Sequence, residues 1–319
     1  MTEKTPKSFF LTPLLLLSSA IASRADDSTI KVFILAGQSN MEGQAVVDLD
    51  HEKYYNGGKG NLEHVMKHSP LKKMYSHLKD AQGNWIVRDD VWVRYKTERE
   101  LKKGKLSIGY AVYGGKNHFG PEMQFGHVIG DYVPNQVLLI KTAWGGKSLY
   151  KDFRPPSAGG EVGVYYKRML AEVDEAFNRI GLEFSVQRAD FDIAGFVWFQ
   201  GWNDMYNETA RNEYEQNLVH LINDVRTHHR EPNLPVVIGE LGNGGPKASA
   251  NMIAIREAQA AVAKRSEFKG TVVFVKTTDF ARPKEQSPNV GHGHHWFGNA
   301  ESYFLIGNAM GEAMKELLE

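Results

Sequence analysis

Five short apolar runs, rich in β-branched residues, indicate buried strands. Each run is nearly continuous in apolar character, as strands covered by helices on both faces are. They span residues 30–36, 137–142, 193–199, 236–239 and 272–276. Longer segments in the intervals have helical spacing of apolar positions and predict amphipathic helices. These segments span residues 121–132, 165–180, 208–227, 250–267 and 301–318.

The alternation of strand and helix predicts an α/β fold, in which a parallel sheet carries helices on both faces. In such sheets the ligand site lies beyond the carboxyl ends of the strands. We therefore expect functional residues directly after positions 36, 142 and 199. Residues 44–119 fit the alternation poorly, because they are rich in Lys, His and Gly. We predict that they form an insertion at the mouth of the site, with one strand pair at 91–95 and 107–113.

The composition narrows the class of protein. The chain has 319 residues, and its 38 basic and 38 acidic side chains cancel. A balanced charge favours neither nucleic acid nor an anionic membrane surface as a partner. The chain has no cysteine, which excludes disulfides, thiolate catalysis and a lipid-modified cysteine anchor. We expect a single domain at residues 26–319, and the sequence leaves its oligomeric state open.

The N-terminal residues 1–25 have the organisation of a secretory signal peptide. Lys4 and Lys7 precede a broken apolar run at 9–21, and small residues suited to cleavage follow at 20–22 or at 23–25. The run is too short and too broken to act as a stable membrane anchor. The sequence thus predicts a secreted or periplasmic protein.

The first candidate motif follows the first predicted strand. Residues 37–41 read Gly-Gln-Ser-Asn-Met, and a serine beside glycine, just past a buried strand, can present its hydroxyl at the edge of the sheet. The motif differs from the G-x-S-x-G nucleophile elbow, because Met41 replaces the last glycine. Considered alone, Ser39 is either a nucleophile or the cap of the next helix.

Two further motifs follow later strands. Residues 144–148 read Trp-Gly-Gly-Lys-Ser, and residues 200–204 read Gln-Gly-Trp-Asn-Asp. Paired glycines let a backbone N–H approach a reacting oxygen, and a side-chain amide can donate to a developing oxyanion. Each motif by itself could be an ordinary turn. A phosphate-binding loop ending at Ser148 is excluded, because Lys141 stands where that pattern requires glycine.

Three histidines precede the last predicted helix, where residues 291–296 read Gly-His-Gly-His-His-Trp. A histidine at this place could reach Ser39 as a general base. His292, His294 and His295 could alternatively bind a metal ion, but no additional ligands are evident nearby in the sequence. We expect neither a metal nor another cofactor.

In this order the four motifs resemble the signature blocks of the SGNH hydrolases, which carry a serine, a glycine, an asparagine and a histidine. More narrowly, residues 33–41, the Trp-Gly-Gly turn and residues 197–201 look like the sialate O-acetylesterase and carbohydrate esterase family six group. The resemblance covers nearly all of the chain after the signal peptide, apart from the insertion. It implies a flavodoxin-like three-layer α/β/α sandwich with a central parallel sheet, the SGNH hydrolase fold. It also implies a serine esterase that removes acetyl groups from carbohydrates.

The resemblance assigns roles to particular positions. The residues implied to be catalytic are Ser39 as nucleophile, Gly145 and Asn203 as oxyanion donors, and His295 as base. The residues expected to face the substrate are Gln38, Gly146 and Trp202. Gly146 also stays an alternative to Gly145 as the glycine donor.

Two positions depart from the family pattern. Trp202 stands where relatives often carry glutamate in a Gln-Gly-Glu motif, and His292 stands where an Asp-x-x-His pairing would place aspartate. The acid that orients His295 is therefore unidentified, and the candidates are Asp279, Asp204 or a backbone carbonyl. Catalytic triads tolerate variation in this third member more easily than loss of the serine or the base.

The implied reaction is two-step acyl transfer on an acetylated carbohydrate. The rival activities are those of other SGNH enzymes, namely arylesterases, thioesterases and lipases, although a long apolar lid segment is absent from the sequence. A rival of another class is a carbohydrate-binding protein that has lost catalysis. The missing aspartate favours it slightly, but the presence of Ser39, Asn203 and His295 disfavours it. The sequence names neither the sugar nor the acetylated position.

Overall fold

The computed structural model describes residues 1–2, 29–186 and 190–319, so nearly all of the predicted signal peptide (residues 1–25) lies outside the described residues. The strands are β1 (Thr29–Gly37), β2 (Ala45–Val46), β3 (Arg88–Lys96), β4 (Leu101–Leu106), β5 (His118–Phe119), β6 (Val137–Ala143), β7 (Asp190–Phe199), β8 (Val236–Gly239) and β9 (Val272–Val275). The helices are α1 (Ser39–Glu42), α2 (Glu52–Tyr55), α3 (Leu62–His68), α4 (Glu122–Tyr132), α5 (Val164–Phe184), α6 (Glu208–His229), α7 (Ala250–Ala263) and α8 (Ala300–Leu318).

A seven-stranded sheet in the order β4-β3-β6-β1-β7-β8-β9 forms the centre of the fold. Neighbouring strands run parallel, except that β3 and β4 are antiparallel. The chain adds β3, β4 and β6 on one side of β1 and then β7, β8 and β9 on the other. The order in which strands are added thus reverses at β1. A reversal of this kind, called a topological switch point, leaves a crevice beyond the carboxyl ends of the strands. β2 and β5 form a separate small antiparallel pair.

Apolar side chains of the central strand point alternately to the two faces of the sheet. Ile34 belongs to a core that also contains residues of α5, α6 and α7, whereas Phe33 belongs to a second core with residues of α4 and α8. Complete burial of one such side chain contributes about 1.5–3 kcal/mol. The predicted three-layer α/β/α sandwich is therefore confirmed.

The helix boundaries follow local capping signals. α6 begins after Asn207, whose side-chain oxygen accepts the N–H of Ala210 at 2.9 Å, and it ends at Arg230 in the left-handed region (φ 59°). The prediction for α7 is wrong at its end, because the helix stops at Ala263 and residues 266–268 form a separate 3₁₀ turn. Within the described ranges, no helix is long and apolar enough to cross a bilayer.

The segment 44–119 contributes to the main sheet, which its composition did not indicate. β3 pairs in parallel with β6 and lies inside the sheet. The predicted strand at 107–113 is wrong, since the partner of β3 is β4, reached through a tight turn in which Thr97 Oγ1 accepts two backbone N–H groups. β4 is an edge strand with three lysines and a glycine, so it has no apolar run. Lysines on an edge strand discourage pairing with other chains.

Buried histidines make the stability of this fold dependent on pH. Burial lowers the pKa of His118 to about 4, of His127 to about 3 and of His229 to about 4. The unfolded chain binds protons near pH 6.5, so it takes up more protons than the folded chain as the pH falls below that value. We expect the free energy of unfolding to decrease from pH 6.5 towards pH 4 in urea titrations. His127→Gln should reduce this slope, and the exposed His68→Gln should not; equal slopes in all three proteins would contradict the account.

Candidate active site

The serine, glycine and asparagine motifs leave the sheet side by side. Gly37, the last residue of β1, is in register with Ala143 at the end of β6 and with Phe199 at the end of β7. The three loops therefore begin at adjacent positions along one edge of the sheet. The alternation of strands and helices predicted functional residues at this edge.

Ser39 begins the short helix α1, directly at the carboxyl end of the central strand. A Cβ atom at Gly37 would lie 2.2 Å from the carbonyl oxygen of Phe199, so the chain can pass here only without a side chain. The turn leaves Ser39 8% exposed. An ideal Cβ atom at Gly145 would lie 3.7 Å from Cβ of Ser39, which places the glycine loop next to the serine.

Gln38 braces the asparagine loop from inside the protein. Its Oε1 accepts the backbone N–H groups of Gly201 (3.3 Å) and Asn203 (3.4 Å), and its Nε2 donates to Oδ1 of Asn203 at 3.2 Å. Gln38 is 2% exposed, so its amide is used within the protein and the geometry gives no support to the predicted substrate contact. The brace fixes the orientation of the Asn203 amide, whose Nδ2 donates to the carbonyl of Gly146 at 2.7 Å.

The buried carboxylate of Glu42 lies against the glycine loop (residues 144–148). The backbone N–H of Gly145 donates to Glu42, and Tyr95 donates its hydroxyl to Glu42 Oε1 at 3.2 Å. Burial raises the pKa of Glu42, against the opposing effect of these hydrogen bonds and of the Lys141 charge. Gly145 and Gly146 are both exposed, and Gly146 is in the left-handed region (φ 71°).

Asp204 fastens two of the loops to each other. Its carboxylate accepts the backbone N–H groups of Leu149 and Tyr150, both at 2.9 Å, and the side-chain amide of Gln200 at 2.6 Å. Burial raises the pKa of Asp204 to about 6, and these three hydrogen bonds oppose the shift. No hydrogen bond between Asp204 and His295 occurs in the described part of the chain. The structure therefore places Asp204 as a link between loops.

The second candidate acid, Asp279, also makes no hydrogen bond to the histidines among the described residues. Asp279 lies exposed in a 3₁₀ turn, and its backbone oxygen accepts from Arg282 at 3.0 Å. Among the described residues, no group of three or more His, Asp or Glu side chains is arranged to hold a metal ion, and this includes the histidine cluster.

The histidine motif forms a 3₁₀ turn, Gly293–Gly298, before α8. The rings of His294 and His295 lie 4.0 Å apart between centroids. Burial, together with the charges of His294 and His292, lowers the pKa of His295 to about 3. His295 is therefore a neutral imidazole at physiological pH, and burial makes it a weaker base than a free histidine. Its Nδ1 is buried and has no hydrogen-bond partner among the described residues.

Aromatic rings connect the histidine and asparagine motifs. The ring of Trp202 lies 5.9 Å from that of His294 and 6.1 Å from that of Tyr206. Trp202 is partly buried, and Tyr206 is 68% exposed at the rim. All four motifs thus lie at one edge of the sheet.

Sequence reasoning missed a buried ion pair behind the serine. Lys141 and Glu122 are both fully buried and lie 2.7 Å apart. Lys141 also donates to the backbone oxygens of Glu42 at 2.8 Å and Tyr110 at 2.7 Å. A lysine inside the apolar run at 137–142 was the available signal, because a charge in a buried strand needs partners.

The fold is a three-layer α/β/α sandwich whose motif loops lie at one edge of the sheet. A model of the carbohydrate esterase family described as sialic acid-specific acetylesterase matches residues 29–316. The chain belongs to this family of carbohydrate acetylesterases, which are carboxylic ester hydrolases.

Comparisons with individual proteins agree with this assignment. A probable carbohydrate esterase of Arabidopsis thaliana is 24% identical over 218 residues, which are 67% of this chain and 70% of the relative. The solved structure of that Arabidopsis protein has a TM-score of 0.57 at 19% identity and covers 89% of this chain and 97% of its own. A carbohydrate acetylesterase from Xanthomonas citri has a TM-score of 0.50 at 14% identity, covering 86% of this chain and 55% of its own. At these identities the two structures support the fold.

Proposed function

We propose that the protein is a serine esterase that removes O-acetyl groups from carbohydrates, with Ser39 as nucleophile and His295 as base. The observation that carries the proposal is the convergence of the four motif loops at the carboxyl ends of β6, β1 and β7. We further propose that residues 1–25 direct export, so that the enzyme acts outside the cytoplasm on an acetylated polysaccharide or sialic acid.

The reaction proceeds in two steps. Ser39 Oγ attacks the ester carbonyl carbon while His295 takes its proton, and the tetrahedral intermediate then expels the sugar oxygen, which takes the proton from His295. Water next attacks the acetyl-serine with His295 again as base, and acetate leaves. Neither step requires a cofactor.

Three N–H donors stabilise the oxyanion in this proposal. They come from the backbone of Ser39, from the glycine loop and from Nδ2 of Asn203. Gly145 is the glycine donor that the family resemblance implies, and Gly146, in the same exposed loop, is the alternative. The Asn203 amide has a second Nδ2 hydrogen beyond the one given to Gly146, and the brace by Gln38 keeps this amide oriented before substrate binds.

Release of acetate tests the activity. The purified protein should liberate acetate from acetylated polysaccharides or O-acetylated sialic acids, and it should hydrolyse p-nitrophenyl acetate. Thioesters and long-chain esters serve as comparison substrates for the rival activities. A protein that binds the acetylated glycan without releasing acetate from any of these esters would be a binding protein, and the proposal would fail.

Asn203→Ala should lower kcat by about 10²–10³-fold with little change in KM, because it removes a donor that acts mainly on the transition state. The measurement is steady-state kinetics on p-nitrophenyl acetate. The matched control is Asn207→Ala, which removes the cap of α6 and should cost about 1 kcal/mol of stability while kcat is retained. Similar kcat in both variants would exclude Asn203 as a donor.

Trp202→Ala should raise KM for an acetylated oligosaccharide by about tenfold, the equivalent of 1.4 kcal/mol of lost binding, because the ring can stack on a sugar face. KM for p-nitrophenyl acetate should change little. Tyr206→Ala is the matched comparison, since it removes the exposed neighbouring ring. Equal loss of turnover on both substrates in Trp202→Ala, with a lower Tm, would mean that the ring only supports the loop.

A further inference from the structure

One main-chain carbonyl next to the predicted base is held by two buried asparagines. The carbonyl oxygen of His294 accepts from Nδ2 of Asn40 at 3.1 Å and from Nδ2 of Asn243 at 2.9 Å. Asn40 and Asn243 are 3% and 1% exposed. Asn40 directly follows Ser39, and Asn243 lies in the loop after β8. The two amides therefore connect the histidine turn (Gly293–Gly298) to the serine turn (residues 37–41) and to the loop after β8.

The orientation of the Asn40 amide is fixed at its other end. Its Oδ1 accepts the hydroxyl of Tyr303 at 2.8 Å, and Tyr303 is fully buried in α8. The same hydroxyl lies 3.5 Å from the carbonyl oxygen of His295. With Oδ1 used in this way, Nδ2 is the atom that faces the histidine turn. One hydrogen-bond network thus connects the serine turn, the histidine turn and α8.

The backbone after His295 requires such support. Trp296 (φ 53°) and Phe297 (φ 54°) both adopt the left-handed region, although neither is glycine. This conformation costs about 1–2 kcal/mol per residue and persists only where the surroundings determine it. Trp296 is 3% exposed, so its packing supplies part of that support, and the two asparagines hold the carbonyl of His294 two residues earlier.

We propose that Asn40 and Asn243 form an amide clamp on the His294 carbonyl that fixes the position of the His295 ring relative to Ser39. The clamp positions the main chain of the turn, which is one of the functions that an acid at position 292 would serve through a hydrogen bond to the ring. The two asparagines are positioning residues, and the inference rests on the proposed function, in which His295 is the base.

The test is the kinetics of Asn40→Ala and Asn243→Ala on p-nitrophenyl acetate. Each should lower kcat by about 10²-fold, because a displacement of about 1 Å in a catalytic group has an effect of that size. KM should change less than about twofold, since ground-state binding is untouched. Asn40→Asp keeps the side-chain shape and the Tyr303 contact but loses the donor, so it should be as impaired as Asn40→Ala.

Asn299→Ala is the structural control in the same segment. Asn299 caps α8 by accepting the N–H of Ser302 at 3.2 Å, and it also donates to Ser287 Oγ at 3.0 Å. Its loss should lower Tm while kcat is retained. If Asn299→Ala loses as much kcat as Asn40→Ala, or if both clamp variants keep kcat, the clamp is refuted. Where an alanine variant does not fold, Asn40→Ser and Asn243→Ser replace it, with the same expected loss of kcat.

Failure of the clamp is distinguishable from failure of the proposed function. If Ser39→Ala and His295→Ala are inactive while the clamp variants are active, only the clamp is wrong. If Ser39→Ala or His295→Ala retains activity, the proposed mechanism is wrong, whatever the asparagine variants do.

Discussion

Ser39→Ala should lower kcat on acetyl esters on the order of 10⁵–10⁶-fold, because no other group can form the acetyl-enzyme. The fold should be retained, since the substitution removes one small hydroxyl and leaves the backbone unchanged, at a cost of about 1 kcal/mol. The measurements are initial rates on p-nitrophenyl acetate, with circular dichroism and Tm to verify folding.

Ser107→Ala is the matched control for this experiment. Ser107 donates to the carbonyl of Ile86 at 2.8 Å and takes no part in the four motif loops. The Ser107→Ala variant should therefore keep its esterase activity. Turnover of Ser39→Ala at the level of Ser107→Ala would remove Ser39 from its proposed role.

His295→Ala should lower kcat by about 10⁴-fold or more, because serine and base act as one unit. His292→Ala and His294→Ala should cost much less, and they are the matched controls within the same turn. The measurement is kcat of the three variants on p-nitrophenyl acetate, with folding checked by Tm.

Two outcomes would contradict the assignment of the base. The largest loss of kcat could fall on His292→Ala or His294→Ala instead, which would move the base to that position. Inhibition by chelators with recovery on added zinc would favour a metal site in the histidine cluster. The assignment of His295 as a neutral general base would then be wrong.

The strands that form the middle of the sheet could be predicted from the sequence, because a strand covered on both faces is apolar throughout. β8 begins and ends where predicted, and β1 and β6 extend one residue beyond the predicted ends. β4 could not be found in this way. An edge strand pairs on one side only and keeps charged side chains, so its pattern does not differ from that of a loop.

The site could be predicted as a set of loops but not in its internal contacts. Spacing along the chain indicated that Ser39 and Asn203 belong to the same edge. It did not reveal that Gln38 turns inward to brace Asn203, or that Asp204 links two loops, because both roles depend on partners more than 50 positions away. Asn40 had no role in the sequence analysis, since its contact with the histidine turn spans 254 positions.

Covalent labelling of the nucleophile tests the central claim most directly. The protein is incubated with a serine-reactive fluorophosphonate and its peptides are mapped by mass spectrometry, with Ser39→Ala treated in parallel. The account predicts a single adduct on Ser39, slowed by an acetylated carbohydrate that competes for the site and absent from Ser39→Ala. An active enzyme that is labelled on another serine, or that keeps its esterase activity without any label on Ser39, would contradict it.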